Sequence, residues 1–211
     1  MYFPENSSYE NEHKNGIEKH HCDGICQCKS QDFYRQFILT NAMRLAWEQH
    51  IYWTRLFLIS TAERLHDLTD TTARLMQNPK DIAKVFSPYY PANVTDKMAK
   101  LITEHLQIGG DLITALRDKK SNEANDLNRR WYANATEMAN FFAEINPHYK
   151  LNEMQEMFHR HLDLTTNEVA ARLAGRYKDD IDAFGKVERE ALMMADYFSQ
   201  GIMQAFPNKF E

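Results

Sequence analysis

Glycine and proline are scarce, at 7 and 6 residues in a chain of 211, which argues against a turn-rich β fold. Cysteine is scarcer still. All three cysteines (Cys22, Cys26 and Cys28) are crowded near the N-terminus, an odd number that makes no disulfide framework. That usage predicts a reducing compartment. No apolar run approaches the roughly 18–20 residues of a membrane span. The opening MYFPENSSYENEHKNG holds no apolar signal core either. A net charge of −5 leaves no broad basic footprint, so nucleic acid is not an expected partner. Together these absences predict a soluble, cytoplasmic protein with no membrane partner.

What remains is ordinary for a globular chain, with 43% apolar and 26% charged residues. Residues 1–30 are polar and aperiodic and read as a disordered tail carrying His20, His21 and every cysteine. A helical bundle domain is expected over 31–206, with 207–211 as a C-terminal tail. The first helix starts near Ser30 or Asp32, and its face is marked by Trp47, Ile51, Thr54, Leu58, Thr61 and Leu65. Asn78-Pro79 opens a short helix, with Asn78 as cap, and Ser87-Pro88 closes it. Further helices are expected over about 95–119, 123–144, 152–175 and 179–205. The fold class is therefore all-α, an up-and-down bundle of four long helices plus shorter ones.

The pattern also repeats. An offset of 56 residues carries Met98 to Met154, His105 to His161, Met138 to Met194 and Phe142 to Phe198. A fainter first copy places His50 before His105, and Ile82, Ala83 and Phe86 before Met138, Ala139 and Phe142. Two amphipathic hairpins align in their apolar positions in any case. The histidine is more telling, because packing alone does not ask for it.

The stretches LAWEQHIYWTR, TEHLQIGGDL, NATEMANFF, INPHY, HLDLTTNEVAARLAGRY and EALMMADYFSQGI resemble a family of small all-helical Firmicutes proteins of unknown function. The resemblance covers about Arg44 to Phe206. Members of that family often carry the label acetylglutamate kinase. The resemblance implies a helical domain and no catalytic residues. A kinase of that kind needs a parallel sheet with glycine-rich phosphate loops, which this sequence does not supply.

His50, His105 and His161 are the candidate site. Each stands among apolar residues at three- and four-residue spacing, so each is expected to face the bundle axis. Imidazole is the commonest ligand for transition metals, and bundle interiors are where facing helices assemble such sites. Glu168, two turns past His161 on the same face, is the expected carboxylate of a three-histidine-one-acid set. Gly109-Gly110 would leave room beside His105, and Asn134 is a candidate outer partner. The expected function is binding of a divalent transition metal (Zn, Fe, Ni, Mn or Cu) or a small ligand between the helices. The alternative is a non-catalytic structural or interaction module whose histidines satisfy buried hydrogen bonds, with Thr54 and Thr165 as partners.

Other patterns are weaker. His20-His21-Cys22-x3-Cys26-x-Cys28 has soft donors but no paired zinc hook. Glu63-x2-His66 and Glu156-x2-His159 mimic di-iron motifs but fall off the apolar faces and read as solvated surface. Arg55, beside Trp53, is expected at the helix surface.

Overall fold

The computed structural model describes the backbone from Ile25 and the side chains from Gln31 onward. The expected tail with His20, His21 and Cys22 lies outside the described residues. In chain order the helices are α1 (Ile25–Glu63), α2 (Leu68–Leu75), α3 (Asn78–Phe86), α4 (Ala92–Arg117), α5 (Ser121–Ile145), α6 (Leu151–Leu173) and α7 (Tyr177–Ala205). No strand occurs among the described residues. The fold is all-α, as the apolar periodicity requires.

Three departures have plain causes. First, α1 begins at Ile25, ahead of the expected start near Ser30, so Cys26 and Cys28 lie within it. Second, α2 has only eight residues, too few for a recognisable period. Third, the expected C-terminal tail is docked: Phe210 is buried and stacks on Tyr89 at 5.7 Å.

Helix ends follow local chemistry. Pro79 sits in the first turn of α3, where its missing N–H costs nothing. Gly175 follows α6 at φ +70, a left-handed position that suits glycine, and Arg176 N–H closes the turn onto Ala171 O at 3.0 Å.

The packing has a simple plan. Helices α1, α4 and α6 touch one another along the centre. Each pair is bridged from outside: α3 packs on α1 and α4, α5 on α4 and α6, and α7 on α6 and α1. At the axis Phe86, Phe142 and Phe198 meet, with ring centroids 5.9, 4.7 and 5.7 Å apart. All three are essentially fully buried, and each such ring contributes roughly 1.5–3 kcal/mol by leaving water. Beside them lie Ile82, Met138 and Met194, also buried. One end of the axis is therefore solid hydrocarbon.

Candidate functional site

The three inner helices each bring one histidine to the axis: His50 from α1, His105 from α4 and His161 from α6. All three are buried, at 4, 5 and 6% exposure. They line two adjoining hollows of about 10 and 30 Å³ next to the phenylalanine cluster. Such a space admits an ion or a water molecule or two, and excludes an organic substrate. The ring centroids of His50 and His161 are 5.9 Å apart. Sequence spacing predicted this convergence from the faces of single helices.

What holds each ring was only partly foreseen. Nδ1 of His50 lies 2.9 Å from Asn78 Oδ1 on α3. Nδ1 of His105 lies 2.9 Å from Asn134 Oδ1 on α5. Nδ1 of His161 lies 2.9 Å from Glu190 Oε2 on α7. Each inner histidine is thus tied to one residue of the bridging helix that follows it in the chain.

The amide network settles the tautomers. Asn78 Nδ2 donates to Ala46 O at 3.0 Å, and Asn134 Nδ2 donates to Leu101 O at 3.3 Å. Each carbonyl claims the amide N–H, so each Oδ1 faces its imidazole and accepts from Nδ1–H. The Glu190 carboxylate likewise accepts from His161. In all three rings Nδ1 bears the proton and Nε2 keeps a lone pair in the neutral form. No group among the described residues hydrogen-bonds to any of the three Nε2 atoms.

Electrostatics favour neutral imidazole at His50 and His105. Burial, with a smaller contribution from His161, lowers the pKa of His50 from 6.5 to about 4. The same causes, with His50 added, lower His105 to about 3. A neutral nitrogen is the state a metal ion needs.

Several expected roles are corrected. Asn78 does not cap its helix, since its side chain is spent on His50 and Ala46. Thr54 and Thr165 bond the main-chain carbonyls of His50 and His161, at 2.7 and 2.9 Å, and leave the imidazoles alone. The room expected beside Gly109-Gly110 is present but small: both glycines line the larger hollow with His105, and neighbouring rings close in on them. A Cβ on Gly109 would come within 3.2 Å of Trp131, which stacks on His105, and one on Gly110 within 3.2 Å of Phe57.

Glu168 is buried on α6 but does not line the hollows. Its carboxylate accepts from Arg55 Nη1 at 2.5 Å, and the same guanidinium binds Asp180 at 2.8 Å. Arg55 is therefore a largely buried cation holding two carboxylates, not the solvated residue its neighbours suggested. Burial raises Glu168 to about 7, against the pull of Arg55. The upward direction holds because burial outweighs Arg55, and the neighbouring Asp180, which also takes Arg172 at 3.4 Å, adds negative charge beside it.

Glu63 and His66 are exposed, and Glu63 pairs with Arg172. Glu156 is exposed, and His159 is half-buried against Thr136 at 3.1 Å. Neither pair reaches the axis.

Glu190 and Asn78 were the residues missed, yet a signal existed. Asn78, Asn134 and Glu190 stand at successive steps of the 56-residue offset. No family model, curated protein or solved structure matches this chain.

Proposed function

We propose that this bundle binds one divalent transition-metal ion through the Nε2 atoms of His50, His105 and His161. One observation carries the reading: three buried imidazoles surround one small space, and an outer partner holds the proton of each on Nδ1. That arrangement presents three lone pairs that no donor among the described residues meets. Metal-binding histidines are held in this way, by an amide, carbonyl or carboxylate on the far nitrogen. Three histidines with space for water also match the donor set of an open zinc site. Glu168 has no part in it, being committed to Arg55.

The donor chemistry fits, and the spacing needs a small adjustment. Two imidazoles on one tetrahedral ion have centroids about 5 Å apart, given metal–nitrogen bonds of about 2.0–2.1 Å. His50 and His161 stand at 5.9 Å. As placed, no three His, Cys, Asp or Glu side chains among the described residues already form a metal-holding group. For His50 and His161, closure by under an ångström is what binding would require. The wider spacing is equally compatible with the competing reading, a structural module whose histidines are simply satisfied inside its core.

Metal analysis separates the two. The sample is tag-free protein with Cys22, Cys26 and Cys28 changed to serine, so that the cysteines contribute nothing. It should carry close to one equivalent of Zn, Fe, Ni, Mn or Cu, and His161→Ala should abolish it. A folded protein that takes up none of these ions on titration leaves only the structural module.

A further inference from the structure

The three outer partners are alike in position and unlike in charge. Asn78 and Asn134 are neutral amides, each anchored to a main-chain carbonyl. Glu190 is a carboxylate at 5% exposure whose one ionic partner among the described residues is His161. No lysine or arginine among the described residues neutralises it. A buried carboxylate without a cation is costly, and its cost falls when positive charge arrives nearby. Two sources fit this chamber: a proton on His161 itself, or an ion on the far side of its imidazole.

We propose that Glu190 is the charge-selecting residue of the site, acting through His161 so that a divalent ion is preferred over a monovalent one. This rests on the metal reading above. The physical basis has two parts. A carboxylate on Nδ1–H draws the proton outward and makes Nε2 a stronger donor than an amide partner does. Its charge also attracts the ion through the ring, and that attraction is twice as large for a dication as for a monocation at the same place. The neutral amides at Asn78 and Asn134 supply orientation without charge. With all three partners neutral, a soft monovalent ion such as Cu(I) would face no such discrimination.

Glu190→Gln keeps the shape and removes the charge. Competition titrations against chelators, with Zn(II) and with Cu(I), should show Zn(II) affinity falling roughly 10- to 100-fold. Cu(I) affinity should fall much less, so the Zn(II)/Cu(I) ratio drops. Asn134→Asp makes the opposite change on His105 and should raise that ratio, which keeps the test open if Glu190→Gln folds poorly. A ratio unchanged in every variant that folds overturns the inference while leaving metal binding intact. Wild-type protein that binds neither ion removes the metal reading itself, and this inference with it.

Discussion

The ring of Tyr149 fills the space that a side chain on Gly201 would occupy. A Cβ built on Gly201 would collide with three of its ring carbons. The loop that carries Tyr149 is fastened to α7 by two hydrogen bonds. The Tyr149 hydroxyl donates to Phe198 O at 2.7 Å, and Asn146 Nδ2 donates to Gly201 O at 3.0 Å. The contact pins the loop between α5 and α6 to the C-terminal part of α7, and so sets how the outer helices close around the axis.

Gly201→Ala should therefore destabilise the protein despite the better helix propensity of alanine. Overpacking of this kind costs roughly 1–3 kcal/mol, readable as a lower urea midpoint. In a Tyr149→Ala background the ring is gone, and the added methyl should cost close to nothing. An equal loss in both backgrounds would show that the ring is not what excludes a side chain.

Much of this architecture was legible because helices announce themselves by period. The faces of α4 and α6 put His105 and His161 among apolar neighbours, and the structure keeps them there. Partnership across helices was less legible. Glu168 lies on a buried face, as its position two turns past His161 implied, but its partner Arg55 is 113 residues away. Nothing in the α6 sequence points to Arg55. Asn78 looked like a cap because it precedes proline at a helix start, and the tertiary bond to His50 overrode that local role. Glu190 carries no local signal of its own. Only its register with Asn78 and Asn134 distinguishes it.

Stability should depend on pH through the buried histidines. With no ion bound, burial lowers His50 and His105 to about 4 and about 3, below their usual 6.5. As the pH falls below 6.5 the unfolded chain takes up protons first. Their contribution is therefore full above 6.5 and is lost as the pH drops toward the folded values, by about 1.4 kcal/mol per pH unit for each histidine. Glu168 works the other way. Burial raises it from 4.5 to about 7, so between those values the folded state takes the proton and acid is favoured. Urea melts at stepped pH should thus show stability falling in acid, and falling more steeply in Glu168→Gln. A shallower slope in that variant would mean that Arg55 keeps Glu168 ionised throughout.

Passage into the chamber yields the last expectation. The inner hollow shares Phe57, Leu75, Leu106 and Gly110 with an open groove between α2 and α4. The tip of the Phe57 ring lies 3.2 Å from where a Gly110 Cβ would sit, so the missing side chain is what lets the ring rest there. An ion reaching the histidines from the groove would have to pass this ring. Phe57→Leu keeps most of the apolar volume but shortens the barrier, and should speed metal release to a chelator. Gly110→Ala presses the ring against its surroundings and should slow release, with the helix itself slightly strengthened. Neither residue donates to the ion, so equilibrium affinity should change far less than the rate. Stopped-flow release into a coloured chelator reads both. Identical release rates in the two variants and the wild type would rule out this wall as the route.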